Sequence, residues 1–107
     1  MRRGDLITVS VQGNYGKPRP ALIVQSDLFS EHGSVTVLLL TSELRDTPLF
    51  RVTIEPDETN QLTKRSQVMI DKAVTLPREK LGEAFGRLES ELMISVNRAM
   101  AVFLGIA

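Results

Sequence analysis

Lys17-Pro18-Arg19-Pro20-Ala21-Leu22-Ile23-Val24 is the stretch from which the rest of the chain is read. Two prolines hold Arg19 between them. Proline fixes its own φ and drives the preceding residue into extended geometry, so the Arg19 backbone is restricted twice. The apolar run behind it reads as a buried strand, expected over Arg19 to Gln25. A stiff arginine on an anchored strand suits phosphate gripping or transition-state charge stabilisation. Its fork presents five donors and stays charged.

Working outward, Leu6 to Val11 alternates, with Ile7, Val9 and Val11 on one face and Thr8 and Ser10 on the other. That is the period of a half-buried strand. Gln12-Gly13-Asn14-Tyr15-Gly16 reads as a turn-rich loop. Ser26 to Phe29 reads as a short irregular piece. Ser34 to Leu40 is a continuous apolar strand, expected to be buried on both faces. Leu49 to Ile54, Gln67 to Val74 and Ala84 to Leu88 are further strands, and Pro77 to Lys80 suits a single helical turn. Glu55 to Lys64 is a polar loop holding Pro56, Asp57 and Asn60. The expected helix is the last element. Ser90 is the expected N-cap, Glu91 suits the first turn, and Gly105 is the expected C-cap. Leu92, Val96, Ala99, Met100 and Phe103 form one apolar stripe at three- and four-residue spacing, with Asn97 and Arg98 opposite. Closely spaced strands joined by Gly/Pro turns predict a mainly β fold with α (α+β): a small antiparallel, partly closed SH3-like barrel with a C-terminal helix.

A chain of 107 residues predicts one domain, 1–107, with a single modest core. Its 13 basic and 13 acidic residues give zero net charge, which excludes whole-surface attraction to nucleic acid as a main driving force. There is no cysteine and one histidine, His32, in the turn Glu31-His32-Gly33. Disulfides, thiolate zinc sites and a two-histidine ribonuclease are therefore excluded. Glu55, Asp57 and Glu58 read as solvated surface, not a metal site. The expectation is chemistry with no metal and no cofactor. No signal-peptide core or membrane-spanning run is present, so a cytoplasmic protein is expected.

Arg3-Gly4-Asp5 near the start and Lys17-x-Arg19-Pro20-Ala21 at the second strand resemble the MazF/PemK family of toxin endoribonucleases. Leu38-Leu39-Leu40-Thr41-Ser42 falls where that family has an apolar strand ending in Thr. Lys64 to Asp71 falls where it has a polar turn and strand, before Thr75-Leu76-Pro77. The Leu81 to Gly105 stretch matches its terminal strand and helix. The resemblance implies a toxin of a toxin–antitoxin system, cleaving single-stranded RNA. It also implies a homodimer and a cognate antitoxin whose acidic C-terminal tail crosses the RNA groove. Arg19 and Thr41 match the residues the family regards as catalytic.

RNA can supply its own nucleophile, the ribose 2′-OH, so the protein need only align attack and stabilise phosphoryl charge. Arg19 suits the second task and the Thr41 hydroxyl can donate to the same phosphate. A guanidinium is a poor base, so the general base is left unassigned. Lys17, Lys64, Arg65 and Lys72 form the candidate basic set. Asn14 and Tyr15 could meet an unpaired base. Arg65-Ser66-Gln67 could read base edges. Asp71 either faces the RNA or pairs on the strand surface with Lys72. Leu6-Ile7-Thr8, where the family often has an aromatic, and a shorter first loop leave the cleavage motif open. The runner-up is a gyrase poison like CcdB, which the Asn97 to Ile106 tail resembles. Leu104 stands where CcdB has its gyrase-binding tryptophan, and CcdB lacks the Lys17–Pro20 motif. A third alternative is a binding module without activity.

Overall fold

The computed structural model describes residues 1–10 and 17–106. Six strands form one antiparallel sheet: β1 (Asp5–Val9), β2 (Arg19–Ile23), β3 (Ser34–Thr41), β4 (Arg51–Ile54), β5 (Ser66–Pro77) and β6 (Leu81–Arg87). Their spatial order is β4-β5-β3-β2-β1-β6. One helix follows, α1 (Ser90–Leu104), and short 3-10 turns occupy Asp27–Phe29 and Arg78–Lys80. The sheet is mainly β with α as expected, but it is open: the edge strands β4 and β6 do not pair. The 55–65 loop bridges the gap, with the Arg87 N–H donating to the Thr59 carbonyl at 3.0 Å.

Both faces of the sheet bury apolar side chains. Leu6, Leu22, Leu38, Leu40, Val68 and Ile70 pack with Val96 of α1 on one face. Ile7, Val9, Ala21, Ile23, Val37 and Leu39 form a second cluster, against which Val74, Leu76 and Leu81 pack. This is why Leu6 and Ile7, neighbours in β1, are both fully buried where the alternation predicts one. It is also why the run Val37 to Leu40 has no polar break, since a strand covered on both sides must be apolar throughout. Each such side chain contributes roughly 1.5–3 kcal/mol by leaving water.

Element ends differ from expectation where pairing distant in sequence decides them. β5 runs past Val74 to Pro77, because Thr75, Leu76 and Pro77 pair with Thr36, Val35 and Ser34. A register shift between Leu38 and Leu40 bends the β3–β5 ladder. β6 starts at Leu81 rather than Ala84, pairing with Val9. β2 ends at Ile23 and β4 begins at Arg51. The helix N-cap is Glu89, with no side-chain capping bond, so Ser90 is already helical. Gly105 caps the C-terminus at φ 74°, as expected. Phe103 leaves the packed stripe and is 51% exposed.

The Arg3-Gly4-Asp5 tripeptide holds the fold. Gly4, at φ +94°, turns the chain so that its N–H meets the Ile23 carbonyl and its carbonyl receives the Leu88 N–H. Asp5 is buried, bonded to the Arg87 guanidinium and to the Arg2 N–H. Arg3 donates to the Val24 carbonyl at 2.8 Å and to Asn97 Oδ1 at 2.7 Å, tying β2 to α1.

Candidate active site

The prolines that restrict Arg19 place it at the first position of β2, and Thr41 is the last of β3. β2 and β3 pair Ala21 with Leu39, so the same register continued outward brings Arg19 level with Thr41. Thr41 in turn pairs with Gln67 of β5. A cleft of about 390 Å³ opens at this end of the sheet, lined by Arg19, Pro20, Thr41, Glu43, Lys64 and Ser66 among others. It brings together three distant parts of the sequence: a cation from β2 and hydroxyl groups from β3 and β5.

Arg19 is half-buried and makes none of the ion pairs found among the described residues. A half-buried guanidinium outside those pairs attracts an anion. The Thr41 hydroxyl oxygen accepts the Glu43 N–H at 3.0 Å. That bond fixes the oxygen and leaves the hydroxyl proton free to donate. The opposite wall, Leu62 to Lys64, belongs to a loop organised by Asn60, which is 1% exposed. Asn60 Oδ1 accepts from the Asp57 and Leu62 N–H groups, and its Nδ2 donates to the Glu55 carbonyl. Asp57 Oδ1 accepts from the Thr59 and Asn60 N–H groups. Asp57 is thus a turn former, and no cluster of three metal-ligating side chains occurs among the described residues.

The predicted site residues divide. Arg19, Thr41, Lys64 and Ser66 share the cleft. The Ser66 hydroxyl donates to the Lys64 carbonyl at 2.8 Å, so it braces the wall. Lys17 is exposed, two residues before Arg19. Arg65 lines a neighbouring concavity and pairs with Glu55 at 2.6 Å on an exposed surface, where such a pair is worth little. Gln67, read as a candidate for base edges, has its amide engaged within the protein. It is 5% exposed, and its amide is spent on the Arg45 main chain and on Thr53. Asp71 lies away from the cleft lining, with Lys72 Nζ at 3.9 Å. Asn14 and Tyr15 fall outside the described residues. Sequence reading missed Glu43, Leu62 and Thr63. Glu43 had one available signal, a carboxylate two residues beyond Thr41.

Comparison with known proteins identifies the family of the chain. Residues 2–104 match the family described as PemK-like, MazF-like toxin of type II toxin-antitoxin system. The chain is 48% identical over 108 residues to the probable endoribonuclease MazF of Mycolicibacterium smegmatis, covering 100% of this chain and 99% of that protein. It is 30% identical over 112 residues to endoribonuclease MazF of Staphylococcus saprophyticus, covering 99% and 92%. An endoribonuclease from a mycobacterial species, solved in complex with its cognate antitoxin, superposes with a TM-score of 0.83 at 26% identity, covering 100% of this chain and 97% of that one. The gyrase-poison alternative finds no support in these matches.

Proposed function

Because the chain belongs to the PemK-like, MazF-like family of type II toxin–antitoxin toxins, we propose that its cleft cleaves single-stranded RNA, with Arg19 and Thr41 as catalytic residues. The observation that carries this is the convergence of Arg19, Thr41 and Lys64 on one concavity. The 2′-OH gives up its proton and attacks the adjacent phosphorus, the P–O5′ bond breaks, and the leaving 5′ oxygen takes a proton from Arg19 or from water, so that a 2′,3′-cyclic phosphate and a 5′-OH result. Arg19 neutralises charge growing on the phosphoryl oxygens, while the Thr41 hydroxyl donates to the same group. Lys64 draws the backbone in.

Glu43 is the carboxylate lining the cleft, and it follows Thr41 closely enough for its N–H to bond that hydroxyl. We propose it as the group that accepts the 2′-OH proton. Glu43→Gln keeps the backbone bond and removes the base. A fall in kcat on the order of 10²-fold is expected on a defined RNA, the scale of positioned proton transfer. Unchanged kcat would leave the proton to solvent or to another group.

The cognate antitoxin is proposed to cover the same cleft with an acidic segment, and the site of action to be the cytoplasm. Among the described residues no helix is long and apolar enough to cross a membrane. A homodimer belongs to the same reading. Ile94, Val102 and Leu104 of α1 are exposed apolar side chains that a second copy would cover. Sedimentation as a monomer at micromolar concentration would contradict it.

A further inference from the structure

A second concavity, of about 320 Å³, adjoins the cleft along the β3–β4 loop. Thr41 to Glu43 line the cleft, and the next three residues, Leu44, Arg45 and Asp46, line the concavity together with Arg65 and Gln67. Two sets of hydrogen bonds shape the loop here: the Glu43 N–H on the Thr41 hydroxyl, and the Gln67 amide on Arg45. Gln67 lies buried on β5 opposite Thr41, and its amide grips Arg45 at both backbone groups. Gln67 Oε1 accepts the Arg45 N–H at 3.0 Å, and Nε2 donates to the Arg45 carbonyl at 2.9 Å. Nε2 also donates to Thr53 Oγ1 at 3.2 Å. A buried amide with donors and acceptor all engaged is a rigid anchor. The residue it anchors carries an exposed guanidinium that forms no ion pair among the described residues.

We infer that this concavity binds a flanking phosphodiester of the RNA, with Arg45 gripping the phosphate and Gln67 acting as the positioning residue that holds Arg45 in register with Thr41. The inference rests on the ribonuclease reading of the cleft. A single strand lying in the cleft must leave it past one wall, and beyond the cleft the β3–β4 loop offers Arg45, a cation outside the ion pairs found among the described residues. Arg65 adds charge to the same surface but shares it with Glu55. Asp46 lines the concavity as well and opposes any anion.

The test begins by mapping a cleavage site of the wild-type protein in pooled RNA. Two uncleavable 2′-O-methyl oligonucleotides are then titrated: a long one spanning the site with flanks on both sides, and a short one confined to the scissile step. Arg45→Gln, at an exposed position, is expected to weaken the long probe on the order of tenfold and the short one little, as for loss of one charge-assisted contact. Its salt slope on the long probe should fall by about 0.7, the value for one phosphate of a single strand. Gln67→Glu keeps the acceptor for the Arg45 N–H but loses the donor to the Arg45 carbonyl. It should weaken the long probe selectively too, whereas a merely structural role would weaken both alike. Asp46→Asn should tighten the long probe. If the wild type cleaves no RNA, the ribonuclease reading falls and the subsite falls with it. If the wild type cleaves but Arg45→Gln binds both probes as the wild type does, or loses both equally, the subsite alone is wrong.

Discussion

Arg19→Ala is expected to lower kcat on a defined RNA by about 10²- to 10³-fold, the scale measured when one preorganised charge-stabilising donor is removed. The guanidinium sits at the cleft, half-buried and outside both apolar clusters, so the variant should fold as the wild type does. Its far-UV circular dichroism and urea midpoint serve as the check. Arg19→Lys should recover little, since a point charge cannot reproduce two parallel donors on a phosphoryl group. Thr41→Val should cost less, roughly tenfold, because a neutral hydrogen bond is weaker than a charge-assisted one. A folded Arg19→Ala protein with full activity would remove Arg19 from the chemistry.

Gly86→Ala is expected to be the most damaging small substitution outside the cleft. Gly86 of β6 lies directly against the main chain of Asn60, and an added Cβ would collide with the Asn60 carbonyl oxygen and carbon. Backbone cannot rotate away as a flexible side chain can. Asn60 is itself held by three hydrogen bonds from its side-chain amide. The loop must therefore lift from the sheet, at a cost of about 1–3 kcal/mol or more. The same loop carries Leu62, Thr63 and Lys64 into the cleft, so cleavage should fall along with stability. Gly33→Ala is the matched comparison. A Cβ there meets nothing within 4 Å, and the effect on the urea midpoint should be near zero or slightly stabilising. An unchanged midpoint in Gly86→Ala would mean that the 55–65 loop is not seated against β6.

What could be read from the sequence was what local chemistry decides. Val37 to Leu40 declared a strand covered on both faces because it has no polar break, and Gly105 declared the helix end because a left-handed residue is needed there. The proline pair fixed where β2 begins, and with it the placement of Arg19. What failed depends on contacts distant in sequence. The extension of β5 to Pro77 is imposed by Ser34 to Thr36, and the burial of both Leu6 and Ile7 by the two apolar clusters that cover the sheet. Gln67 has the side chain of a base reader, and only the returning β3–β4 loop shows that its amide is already committed. Arg65 and Lys64 are adjacent in the chain, yet they fall in different concavities. Arg3-Gly4-Asp5 marks the family, and its residues are employed in tying the N-terminus to β2, β6 and α1.

We propose that the cleft holding Arg19 and Thr41 directs the RNA's own 2′-OH at phosphorus. This is tested most directly with one substrate that carries a single 2′-deoxynucleotide on the 5′ side of the mapped scissile phosphate, compared with its all-ribose parent. Product ends are read by mass spectrometry. The parent should give a 2′,3′-cyclic phosphate, or its 3′-phosphate hydrolysis product, and a 5′-OH. The substituted strand should stay intact at that step. Cleavage of the substituted strand at the parent's rate, or a 5′-phosphate on the parent's product, would show that the nucleophile is not the ribose hydroxyl.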